Sequence, residues 1–265
     1  MPERTQQTSV TNSGSALLPE RLRNLKLPAI LRDHAKIGEE CSKDNATYEA
    51  YLDQLCQCEL LARESNAVRR RIIDARFPSL KELADFKFAE IPKLNKAKVI
   101  ELSKGEFLKN QTNVVLVGAP GIGKTHLAIS IAMNACRAGS HVRFFTASKL
   151  VNTYLEAREE RTILRLEASL KKLDLIVVDE LGYLPLDRRG AEHLFGFFSL
   201  CYEQVSLIVT TNLPFAQWPQ TLAGDERMTG ALLDRLTHRV EILAIEGESY
   251  RLRQSLAAKY VPKNN

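Results

Sequence analysis

The sequence predicts an α/β fold: a five-stranded parallel sheet between helices, preceded by a small all-helical domain. Three observations carry this. From residue 113 onward, five short apolar runs (114–117, 142–146, 173–180, 206–212 and 240–245) alternate with helical patterns. The runs are nearly continuous rather than alternating, as in strands buried on both faces, and interleaved helices make such strands parallel. Residues 19–77 contain no comparable run, and their apolar positions recur at helical spacing.

Composition narrows the class. The chain has 265 residues, 26% charged and 45% hydrophobic, which fits one domain of ordinary size and a smaller one. No apolar run approaches the roughly 20 residues needed to span a bilayer, so no membrane partner is expected. The opening residues MPERTQQTS lack the apolar core of a signal peptide, and the expected location is cytoplasmic. Cysteines 41, 56, 58, 136 and 201 are scattered, and the C-x-C at 56–58 has no second pair to complete a zinc site. They read as ordinary reduced thiols. A net charge of +5 is mildly basic and consistent with a nucleic-acid partner.

Residues 1–18 are rich in Thr, Ser, Gln and Asn and read as a disordered tail. A helical domain follows over 19–77. Leu22, Leu25, Ile30, Leu31 and Ile37 mark its first part, with Pro28 suited to a first helical turn. Tyr48, Tyr51, Leu52, Leu55 and Cys58 place a second helix over 47–63. A third is expected over 66–76, with Asn66 as N-cap and Pro78 beyond its end. It carries Arg69, Arg70, Arg71 and Arg76, either a solvated face or a set of phosphate contacts to DNA.

A connector over 78–112 contains a helix at 94–107. Its Phe86, Phe88 and Ile91 either pack on a nucleotide base or simply cover the core. The α/β domain spans 113–260. Gly139 ends its first helix, Ser148 starts the next, and further helices fall at 190–202, 229–237 and 249–259. Residues 261–265 form a short tail.

The chemistry centres on residues 118–125, GAPGIGKT, between the first strand and its helix. This spacing, G-x-x-x-x-G-K-[ST], is a phosphate-binding loop. Gly118, Gly121 and Gly123 free the backbone to turn its N–H groups inward at the positive end of the helix. Ala119, Pro120, Ile122 and the following His126 complete the stretch. Lys124 reaches the β/γ-phosphates of a nucleotide such as ATP, and the Thr125 hydroxyl suits Mg²⁺. Asp179 and Glu180 end the third strand, where ligands bind in open α/β sheets. Asp179 suits Mg²⁺ and Glu180 suits a general base. Asn212 ends the fourth strand and can orient a water. Arg235 and Arg251 are candidates for stabilising phosphoryl charge.

With these residues in place, the chain resembles the AAA+ ATPases of the DnaA/DnaC clade, and more closely the IstB-type helpers of insertion-sequence transposition. VVLVGAPGIGKTHLA (114–128), LIVVDELGYL (175–184), SLIVTTN (206–212), LLDRLTHR (232–239) and SYR (249–251) carry the resemblance, as do TYEAYL (47–52) and FPSL (77–80). It implies an ATPase using ATP and Mg²⁺. Asn212 would be the first sensor, Arg235 a finger reaching the next subunit's ATP, and Arg251 a second sensor acting in cis. Residues 148–172, with Lys149, Arg158 and Arg161, would grip DNA. The implied partners are duplex DNA, further copies of the chain through ATP-bridged interfaces, and a cognate IstA-like transposase. A DnaC-like helicase loader shares every catalytic motif. A small-molecule P-loop kinase fits less well, because Glu180 directly after Asp179 suits water activation.

Overall fold

The computed structural model describes residues 13–247. They form two compact units, divided between Arg69 and Arg70. The first holds α1 (Ser13–Asn24), α2 (Pro28–Lys43) and most of α3 (Tyr48–Ala75). Helix α1 takes in residues 13–18, which their composition assigned to a tail; Ala16, Leu17 and Leu18 are strong helix formers. The core of this unit is small. Leu22, Ile30 and Leu55 are buried, with Leu27, Leu31, Ile37 and Tyr51 around them.

One carboxylate reinforces it. Leu27 precedes α2 and has no side-chain oxygen to cap its free amides. Glu59 of α3, only 4% exposed, takes that role from across the bundle. It accepts from the Ala29 N–H at 2.9 Å and the Ile30 N–H at 3.3 Å. It also accepts from Arg63 Nε at 3.0 Å, and Arg63 donates to the Lys26 carbonyl. Burial pulls the Glu59 pKa upward, but Arg63 and the two amides outweigh that and hold it below its usual value.

Helix α3 corrects the sequence reading. It runs unbroken for 28 residues where two helices were expected. No Gly or Pro lies between 48 and 75, so Asn66 sits in mid-helix instead of capping a new one. The helix ends at Ala75, and Arg76 turns out at φ +57° ahead of Pro78.

The second unit is the parallel sheet, in the order β2-β3-β4-β1-β5. Its strands are β1 (Asn113–Gly118), β2 (Val142–Thr146), β3 (Leu175–Leu181), β4 (Ser206–Thr211) and β5 (Val240–Ile245). The expected helix at 94–107 is α4 (Lys96–Ser103), capped by Asn95; Gly105, at φ +77°, ends it and a 3-10 turn follows. The P-loop helix is α5 (Lys124–Arg137). Next come α6 (Ala147–Glu159), α7 (Ile163–Leu170), α8 (Arg188–Cys201), the single turn α9 (Trp218–Thr221) and α10 (Glu226–Thr237). Thr146 rather than Ser148 caps α6, accepting from the Lys149 N–H, and Asp187 and Asp225 cap α8 and α10. The helix expected at 249–259 lies outside the described residues.

Alternate residues of each strand serve opposite faces. Val114 and Leu116 pack with α4 and α5, while Val115 packs with α6, α8 and α10. All five cysteines are free, and burial pushes the Cys136 thiol up to about 11. Among the described residues no helix is long and apolar enough to cross a membrane.

Candidate nucleotide-binding site

A cavity of about 760 Å³ opens at the carboxyl ends of β1, β3 and β4. Its floor is the loop from Pro120 to Thr125, and its far side is Glu180, Thr211 and Asn212. Gly123 caps α5 at φ +100°, and a Cβ there would meet the Phe86 ring at 2.7 Å. At Gly118 a Cβ would run into the Ile245 carbonyl of β5. Both positions therefore exclude a side chain for packing reasons as well as for phosphate access. Lys124 folds over its own loop, with Nζ 2.7 Å from the Gly118 carbonyl and 2.8 Å from that of Ala119.

The P-loop and β3 meet at one point. Thr125 Oγ1 donates to the Asp179 carboxylate, 2.9 and 3.1 Å from its two oxygens. Asp179 is 4% exposed. A hydroxyl and a carboxylate converging in this way form the oxygen donor set that a hard divalent cation takes, so these residues fit Mg²⁺. Glu180, the next residue, is exposed and has the left-handed φ of +60°. Asn212, directly after β4, lines the cavity.

Phe86 and Ile91 belong to the buried core and also line the cavity. Phe88 is not among the described residues lining the cavity; it packs against the same core, its ring edge-on to Phe86 at 4.9 Å and Lys96 Nζ 5.3 Å over it. His126 lines the cavity too, but its Nε2 donates to the Glu82 carbonyl at 2.8 Å and its ring meets Phe86 edge-on at 5.4 Å. Its role here is to fasten the connector to the start of α5.

The arginines are placed apart. Arg235 is not among the described residues lining the cavity. It lies half-buried on α10, donating to the Ala231 carbonyl at 2.7 Å, with its guanidinium 5.0 Å over the Phe195 ring. Arg251 lies outside the described residues. Arg69, Arg70 and Arg76 are exposed, as are Lys149 and Arg158 on α6 and Arg161 just after it. Arg71 differs: it is half-buried, and its Nε donates to the Cys136 carbonyl in the last turn of α5 at 2.8 Å. Sequence reasoning missed this bond, the Phe195 shelf under Arg235, and the buried Thr210 between the two acids. Only the polarity of Thr210 at the end of an apolar strand signalled it.

Known proteins share both fold and sequence with this chain. It matches the family described as IstB-like ATP binding protein over residues 20–258. It is 35% identical, over 92% of its length and 91% of the other's, to a protein of insertion sequence IS21 from Pseudomonas aeruginosa whose name describes it as ATP-binding. A similarly named protein of insertion sequence IS5376 from Geobacillus stearothermophilus is 34% identical, with 89% and 93% covered. Among solved structures, AMPPCP-bound DnaA from Aquifex aeolicus is similar at a TM-score of 0.54 and 20% identity, covering 71% of this chain and 57% of DnaA. DnaA bound to AMPPCP and single-stranded DNA gives 0.51 at 20% identity, covering 69% and 56%. The chain thus spans little more than half the length of these two chains, and at this identity the likeness shows the fold alone, one similar to that of DnaA. From the P-loop geometry and the match along nearly its whole length, the chain belongs to the IstB-like ATP-binding proteins of insertion sequences.

Proposed function

We propose that the chain is a Mg²⁺-dependent ATPase that assembles on duplex DNA through ATP shared between subunits and assists a separate transposase. The observation that carries the reading is the meeting of Thr125 with Asp179 while Glu180, one residue on, opens into the same cavity. Thr125 and Asp179 would hold Mg²⁺, which when bound neutralises charge on the β- and γ-phosphates. Lys124 exchanges the carbonyls of Gly118 and Ala119 for phosphate oxygens. Glu180 takes the proton of a water that attacks the γ-phosphorus as the bond to the β-phosphate oxygen breaks, and Asn212 orients that water. Phe86 and Ile91 offer an apolar wall for the base.

That Arg235 is not among the described residues lining its own cavity supports a role on a neighbouring subunit's ATP. Its stacking on Phe195 would keep the guanidinium in place until the subunits meet. The insertion-sequence relatives support transposition as the setting. The exposed Arg69, Arg70, Arg76, Lys149, Arg158 and Arg161 offer phosphate contacts for DNA. The test is Glu180→Gln. It should bind ATP like the parent protein and hydrolyse it on the order of 10²-fold more slowly. Turnover within a few-fold of the parent would refute Glu180 as the base and with it this site's chemistry.

A further inference from the structure

Strands β3 and β4 pair in step from Leu175 with Ser206 to Val178 with Val209. The next pair is Leu181 with Thr211, three residues on along β3 but two along β4. One extra residue is therefore accommodated in β3, and it lies where the chain passes through Asp179 and Glu180. Bulges of this kind re-aim a side chain beside a site. Here the result is Glu180 held at φ +60°, a conformation that non-glycine residues leave unless neighbours hold them in it.

The holding group is Thr210. It is 1% exposed, so water does not compete for its hydroxyl. Its Oγ1 donates to Asp179 Oδ1 at 2.5 Å and accepts from the Glu180 N–H at 2.9 Å. One hydroxyl thus uses its single donor on one acid and its acceptor on the backbone of the other. A side-chain bond holds the Glu180 peptide where the register shifts.

We infer that Thr210 is a positioning residue for the acidic pair: it sets the plane of the Asp179 carboxylate and the peptide that aims Glu180. This rests on the ATPase reading above for its consequence in turnover, though not for the anchor itself. Thr125 fastens Asp179 from the P-loop side. Thr210 fastens it from the sheet side, and it is the connection that reaches both acids.

The test is Thr210→Val, which keeps the branched shape and deletes the hydroxyl, with Thr210→Ser restoring it. Outer-shell anchors of this kind govern activity by about 10- to 100-fold. Thr210→Val should lower kcat by that factor with KM for ATP within about threefold, and Thr210→Ser should recover most of the loss. A second readout is independent of turnover. Amide hydrogen exchange at Glu180 should accelerate by about tenfold or more in Thr210→Val, with Val177 and Val178 unchanged. Should the Val protein fail to fold, Thr210→Ala provides the same comparison. Unaltered exchange at Glu180, or a Ser variant as impaired as the Val variant, would overturn the proposal. A parent protein with no ATP turnover would instead refute the ATPase reading, and the exchange experiment would then decide the anchor by itself.

Discussion

Arg69, Arg70 and Arg71 are consecutive on α3 but differ in their surroundings, and the roles proposed for them separate by experiment. Arg71 Nε donates to the Cys136 carbonyl at 2.8 Å, at the negative end of α5. A hydrogen bond from a charged group contributes about 1.5–3 kcal/mol, so Arg71→Ala should cost about 2 kcal/mol and lower Tm by roughly 4–8 °C. Arg69 and Arg70 are exposed, and replacing both with Ala should change stability by less than about 0.5 kcal/mol per site. Their effect should appear on DNA. Each phosphate contact contributes about −0.9 to the slope of log K against log salt, so the double variant should lose about 1.8 from that slope per protomer. Between about 50 and 200 mM salt, the affinity fall should be smaller by roughly tenfold. Anisotropy of a labelled duplex with ATP present, over a salt titration, measures this directly. An unchanged slope for the double variant would refute the contact and leave Lys149, Arg158 and Arg161 as the DNA-facing set. An Arg71→Ala protein with unaltered Tm would refute the division of labour.

Two further outcomes are expected. Arg235→Ala should bind ATP without hydrolysing it, and mixing it with Lys124→Ala protein should restore measurable turnover, since each supplies the half-site the other lacks; no recovery in mixed assemblies would place Arg235 in cis. The Glu59 carboxylate is held below its usual range, so its stabilisation is present above the unfolded value near ~4.3 and lost as pH falls through the folded one. Glu59→Gln should therefore cost about 1–3 kcal/mol at neutral pH, and the gap in thermal stability between the two proteins should close as pH drops below about 4. A gap that stays constant with pH would contradict the assigned role of the charge.

That the P-loop motif, Glu180 and Asn212 would come together at one cavity, with Asp179 meeting Thr125, was legible because the motif fixes residue type and spacing at the strand ends. Strands β1, β3 and β4 were legible because burial on two faces leaves an unbroken apolar run; the edge strand β5 occupies 240–245 as expected, with Leu243 and Ile245 buried. Helix boundaries were harder. Asn66 has cap chemistry, but without a breaker nearby the helix passes through it. Thr146 and Ser148 both suit a cap, and the end of β2 decides between them. Roles that depend on distant partners left no trace in the sequence. Glu59 caps amides 29 and 30 residues away, and Arg71 binds a carbonyl 65 residues away. Periodicity marks such residues as polar on a helix and says nothing of what they meet.

The contact between Gly123 and Phe86 gives the site a property of its own. The ring proposed to face the base rests on a glycine of the phosphate-loop motif, and a single methyl at 123 would collide with it. His126, three residues on, binds the same connector through Glu82. The phosphate loop and the wall proposed for the base thus share one surface, so neither can be resized alone. Sequence drift in the connector is bounded by the phosphate loop, and positions 86 and 123 should vary together across relatives or not at all.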